Sequence, residues 1–132
     1  MRVVRVEQCA SLRIIDSGLD LAQISELLGI WPPQSASSDD WKLESSAGDS
    51  AVSLETQINE IVTPLLGQAD KIRELVDRGA KVELFLTRSL LGPGVGHLCF
   101  MLDVSVIKFL AEVDASVWFD EYDETSADDR PK

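Results

Sequence analysis

The chain opens on an alternation of apolar and polar residues that is longer than most strands. Val4, Val6, Ala10, Leu12 and Ile14 fall on one side, and Arg5, Glu7, Ser11 and Arg13 on the other. That is the pattern of a strand burying one face of a sheet. Strands seldom exceed about 10 residues, so a bulge or break is predicted near Gln8. A helix follows with a full start signal. Asp20 can cap it, Gln23 can return a bond to the cap, and Leu19 can staple against Ile24. Leu21, Ile24, Leu27 and Leu28 form its apolar stripe, and Gly29 suits the position just past its end. Trp31-Pro32-Pro33 cannot continue it, because proline lacks the amide donor. After a serine-rich loop, Trp41-Lys42-Leu43-Glu44-Ser45 alternates again and predicts a short second strand.

From Ser53 the spacing becomes helical, through Leu54, Ile58, Ile61, Val62 and Leu65. Pro64 interrupts it, and the pattern resumes at Ala69, Ile72, Leu75 and Val76, so two helices with a bend at 64–68 are predicted. Val82, Leu84 and Leu86 alternate in a third strand. A turn rich in glycine, residues 92–96, leads to His97-Leu98-Cys99-Phe100-Met101-Leu102, whose nearly unbroken apolar character predicts a central fourth strand. Asp103 then caps a last helix with Ile107, Leu110 and Ala111 inward, flanked by Val106 and Phe109. Residues 115–122 make a fifth strand.

The expected fold is therefore α+β, in the order β-α-β-α-α-β-β-α-β, with a mixed five-stranded sheet and helices mainly on one face. It would be a variant of the ferredoxin-like sandwich. At 132 residues the chain suits one domain, over 1–122, followed by an acidic polar tail over 123–132.

Charge refines this picture. The net charge is −11, and it is unevenly spread. The first 13 residues are basic, 14–60 hold nine acids against Lys42 alone, and the tail is acidic again. Such a surface disfavours direct binding to nucleic acid or anionic lipid and attracts a basic partner. The N-terminus breaks its apolar residues with charge, unlike a secretory leader, and no apolar run approaches a membrane span. Cys9 and Cys99 stand in apolar segments and are expected as reduced core thiols. These features together predict a cytoplasmic protein.

Several motifs, in order, resemble those of a bacterial family, domain of unknown function 4279. They are Cys9-Ala10-Ser11-Leu12-Arg13-Ile14, then Ile24-Ser25-Glu26-Leu27-Leu28-Gly29 with the prolines after it, and Trp41-Lys42-Leu43-Glu44-Ser45-Ser46. Leu54-Glu55, the glycine turn, the closing helix and Asp120-Glu121-Tyr122 complete the set. The resemblance implies the fold but no settled activity. Where the family often carries a histidine after Leu54-Glu55, this chain has Gln57. By analogy, such domains resemble immunity-type or accessory proteins that act by binding.

The residues that carry chemistry are few, and they assemble no catalytic constellation, metal set or cofactor motif. His97, the single histidine, opens a strand beside a glycine turn, two residues from Cys99. An apolar setting would keep that thiol inert. Gly92, Gly94 and Gly96 precede an expected strand rather than a helix, which removes the phosphate-loop reading. Asp120 shares a strand face with Trp118 and Tyr122, opposite Val117 and Phe119.

Two functions follow as expectations. The first is a non-enzymatic protein-interaction module that meets a basic partner through Trp31, Asp39, Asp40 and Trp41. The alternative is a small ligand-binding domain or enzyme with a pocket around His97, Asp120 and Tyr122. A homodimer is compatible with either.

Overall fold

A computed structural model describes residues 6–33, 40–45, 52–92 and 98–124. In chain order these form β1 (Val6–Ile15), α1 (Leu21–Leu28), β2 (Trp41–Glu44), α2 (Leu54–Val62), a 3-10 helix (Thr63–Gln68), α3 (Ala69–Asp77), β3 (Lys81–Leu90), α4 (Val104–Glu112) and β4 (Ser116–Asp123). The four strands make one mixed sheet in the order β2-β1-β3-β4. β1 is antiparallel to both of its neighbours, and β3 runs parallel to β4. α4 is the crossover that a parallel pair requires.

The sheet has two unlike faces. Ala10, Leu12 and Ile14 of β1 sit opposite Leu86, Leu84 and Val82 of β3, and all six are buried. Trp41 and Leu43 of β2 continue that face, as Val117 and Phe119 of β4 do on the other side. Ile24 and Leu28 of α1, Ile58 and Ile61 of α2, Ile72 and Leu75 of α3, and Phe109 of α4 join the same core cluster. Each such aliphatic side chain contributes roughly 1.5–3 kcal/mol relative to exposure, so the helices are held on this side alone. The opposite face carries Arg13, Phe85, Thr87, Trp118 and Asp120, which are half-buried or exposed.

The ends of α1 form as expected. The Asp20 side chain accepts from the Gln23 amide at 2.8 Å, and Gln23 Oε1 accepts from the Asp20 amide at 2.9 Å. Gly29 takes the left-handed conformation, φ 70°, with its N–H on the Ser25 carbonyl. The bend expected at 64–68 is the 3-10 helix, which has Pro64 in its first turn, where no amide donor is needed.

Five expectations are corrected. β1 has no bulge at Gln8, since ten consecutive pairs join it to β3, from Val6 opposite Leu90 to Ile15 opposite Lys81. A partner of equal length supports an unusually long strand. The expected fourth strand is not formed at Leu98 to Leu102, because both sides of β3 are already occupied, by β1 and β4. That segment instead turns Leu98, Phe100 and Leu102 toward the core and bonds to α2, with the Met101 amide donating to Glu55 Oε1 at 2.8 Å. With this strand missing and helices lying between β2 and β3, the five-stranded, ferredoxin-like order gives way to the four-stranded one.

The third correction concerns α4. It buries Val106, Phe109, Leu110 and, just past its end, Val113, while Ile107 and Ala111 are exposed. Val113 extends the stripe and rotates it by one position. Asp103 stands at the N-cap with extended backbone, yet its side chain makes no capping bond. The fourth concerns the thiols. Cys9 is half-buried on the open face and Cys99 is exposed, so neither belongs to the core. The expected tail also starts later, since Asp123 ends β4 and the Glu124 amide donates to the Leu90 carbonyl at 2.8 Å.

Candidate functional site

β4 forms one border of the sheet, and all eight of its residues are exposed. Its inner side is fully laddered to β3, from Glu83 opposite Ser116 to Leu90 opposite Asp123. The bond from Glu124 to Leu90 sets the phase of that ladder. Backbone groups alternate in direction along a strand, so the N–H and C=O of Val117, Phe119 and Glu121 point away from β3. Among the described residues no strand lies beyond them.

The side chains of β4 divide between the two faces. On the helix side, Phe119 stacks against Phe100 at 6.3 Å between centroids, yet Val117 and Phe119 stay 47% and 40% exposed. Next along, Glu121 accepts from Arg88 Nη1 at 2.9 Å. Arg88 is a buried cation, and the more exposed Glu121 carboxylate balances it.

On the open face, three planar groups line up across three strands. The Arg13 guanidinium of β1 lies 4.3 Å from the centre of the Phe85 ring of β3. Phe85 in turn faces Trp118 of β4 with centroids 6.0 Å apart and planes within 8°. The cation is attracted to the ring face, and an offset parallel pair is a favoured aromatic geometry. Glu83 stands directly across from Arg13 but makes no ion pair among the described residues, because the guanidinium turns to Phe85.

One step further along β4, the Tyr122 hydroxyl donates to Asp120 Oδ2 at 3.3 Å. The Asp120 charge raises the Tyr122 phenol above its ordinary value, and the hydrogen bond and slight burial add to this. On β1, partial burial pushes the Cys9 thiol up; Glu44 adds to it, while Lys42 and Arg13 oppose it. A raised thiol pKa makes a poor nucleophile at neutral pH.

Of the residues expected to meet a partner, Trp31 is 65% exposed, just beyond α1. Asp40 is half-buried before β2, and Asp39 lies outside the described residues. Trp41 is fully buried, its indole N–H donating to Ser25 Oγ at 3.1 Å, so its ring offers no surface to a partner. Of the alternative group, Asp120 and Tyr122 are brought together, and His97 lies outside the described residues. Among the described residues, no cluster of three or more His, Cys, Asp or Glu could hold a metal ion. No helix of the described residues is long and apolar enough to cross a membrane.

Arg13 and Phe85 were not legible as site residues. Both obey simple alternation on the polar side of their strands, and only the register shows that they line up with Trp118. In the sequence, Gln57 is distinguished only by the histidine that the family often carries there. It is fully buried and bonds to the backbone of β1.

Fold and site together define a small α+β domain in which, among the described residues, one sheet face and one strand border have no layer over them. The chain belongs to the family described as Domain of unknown function (DUF4279), whose model matches residues 6–124. No curated protein and no solved structure matches it.

Proposed function

We propose that this chain is a non-enzymatic interaction module of a bacterial cytoplasm, and that it accepts an extended, basic segment of a partner protein along β4. The observation that carries this reading is the state of β4: eight exposed residues with outward backbone groups at Val117, Phe119 and Glu121. Strand addition to such a border supplies main-chain hydrogen bonds, and alternate side chains supply selectivity. Asp120, Asp123 and Glu124, beside the Glu121 that balances Arg88, make the border acidic, which favours a basic segment over an acidic or neutral one. The burial of Trp41 moves the proposed surface from the neighbourhood of β2 to this border.

The test is a titration of the labelled protein with an acetylated peptide of alternating valine and lysine, followed by backbone amide exchange. Binding should protect the amides of Val117, Phe119 and Glu121 and should weaken as salt is raised. A peptide of alternating valine and glutamate should not bind. Phe119→Pro, which removes an outward donor without touching the ladder to β3, should abolish the protection. Protection located elsewhere, or indifference to peptide charge, would refute the reading.

A further inference from the structure

Among the described residues, the row formed by Arg13, Phe85 and Trp118 stops at the border of the sheet. Phe85 covers the inner side of Trp118, and Trp118 as a residue is 52% exposed. A strand added beside β4 would lie about 4.8 Å away, the same spacing that separates β3 from β4. A side chain projecting from it on the open face, opposite Trp118, would then stand to Trp118 as Trp118 stands to Phe85. The next member of the row must be a flat group able to lie against an indole.

The charges around that position select among flat groups. Asp120 follows Trp118 on the same face of β4, with one carboxylate oxygen taking the Tyr122 hydroxyl. Glu83, across from Ser116 on the same face, has no ion-pair partner among the described residues. A concavity of about 410 Å³ adjoins the ring, with Lys81, Glu83, Asp114 and Ser116 in its walls. Glu83, Asp114 and Asp120 outnumber Lys81 and, beyond Phe85, Arg13, so the surroundings are acidic on balance. A planar cation satisfies both requirements at once, and among side chains only the guanidinium is one. It stacks on aromatic faces and pairs with carboxylates through a fixed fork of donors, whereas an ammonium is a compact, strongly hydrated point charge.

Resting on the strand-addition reading above, we infer that the incoming segment carries an arginine opposite Trp118, its guanidinium stacked on the indole and paired with Asp120 or Glu83. The site thus discriminates arginine from lysine and does not merely count charge.

The experiment compares two acetylated peptides, alternating valine with arginine and valine with lysine, at the same salt concentration. It follows both the exchange of the Val117, Phe119 and Glu121 amides and the indole N–H resonance of Trp118. The arginine peptide should bind about tenfold more tightly and shift the Trp118 indole resonance. In Trp118→Leu the two affinities should converge to within about twofold, with the lysine peptide still protecting the border amides. The double change Glu83→Gln with Asp120→Asn should weaken the arginine peptide while leaving the Phe85–Trp118 stack in place. Equal affinity of the two peptides for the unaltered protein overturns the arginine assignment and leaves strand addition standing. Absence of border protection by either peptide overturns both. Border amides already protected without peptide, in a particle twice the monomer mass, would identify a second copy as the occupant and overturn the arginine assignment.

Discussion

The side-chain amide of Gln57 occupies the hydrogen-bonding position beside Ala10 that a longer β2 would fill. Among the described residues β2 pairs with β1 as far as Glu44 opposite Ser11, and the Ser45 amide donates to the Ala10 carbonyl. There Gln57 Oε1 accepts from the Ala10 amide at 3.1 Å, and its Nε2 donates to the carbonyls of Gln8 at 2.9 Å and Val52 at 3.0 Å. A side chain that reads as an ordinary polar helix residue thus extends the sheet by one rung.

Gln57→Leu should therefore lower stability by about 2–4 kcal/mol, since two strand groups lose their partners in a dry interior. Urea denaturation should show a lower midpoint with an unchanged slope. The Ala10 amide should also exchange faster. Neutral histidine has one ring nitrogen that donates and one that accepts, so Gln57→His should cost less than Gln57→Leu. An equal loss for both would mean that packing, not bonding, sets the requirement.

The Tyr122 phenol should titrate above its ordinary value when followed by ultraviolet absorbance. Ionisation places a phenolate beside the Asp120 carboxylate and removes the hydrogen bond between them. Asp120→Asn should bring the titration down. The sign for folding follows from linkage. A phenol whose pKa is higher in the folded state contributes stability below the ordinary tyrosine value, and that contribution is lost as pH rises through the folded value. A titration unmoved by Asp120→Asn would show that the two groups are not in contact in solution.

The two thiols should react at different rates with a disulfide reagent at mildly alkaline pH. Cys99 is exposed and should react first. Cys9 is half-buried, with its pKa raised by that burial and by Glu44, so it holds less thiolate and should lag. Glu44→Gln should quicken Cys9. In denaturant the two rates should converge, and a difference that survives there would have another source.

Asp20→Ala should destabilise the protein by about 1 kcal/mol through loss of the reciprocal cap on α1. Gly29→Ala should cost a similar amount, because the backbone there is left-handed and an added Cβ disfavours it. Thermal unfolding measures both. If Gly29→Ala were stabilising, the end of α1 would have to take a different form in solution.

Local chemistry made much of the fold legible. Asp20, Gln23 and Gly29 mark the ends of α1 by their hydrogen-bonding capacities alone, and Pro64 marks the bend between α2 and α3. The alternation of β1 and β4 assigned faces correctly, including Asp120 with Trp118 and Tyr122 against Val117 and Phe119. Pairing was not legible. Leu98 to Leu102 has the composition of a buried central strand, but both sides of β3 are taken by β1 and β4, which lie elsewhere in the chain. The same holds for the site. Trp41 and Trp118 are alike in sequence, each within a short alternating run. Both stand on border strands, but Trp41, opposite Ile14, faces the core and is buried, whereas Trp118, opposite Phe85, stands on the open face. The row from Arg13 to Trp118 joins residues from three strands and exists only through their register.

The two ends of the sheet differ in a way that bears on stoichiometry. β4 offers outward backbone groups along eight residues, whereas β2 has four, and the contact from Ser45 to Ala10 directs only Lys42 and Glu44 outward. Growth by strand addition is therefore one-sided. A partner docked on β4 finds no matching acceptor at the opposite end of the sheet, and head-to-tail propagation into a filament is blocked. On the strand-addition reading, assembly ends at a finite, one-to-one complex rather than a filament.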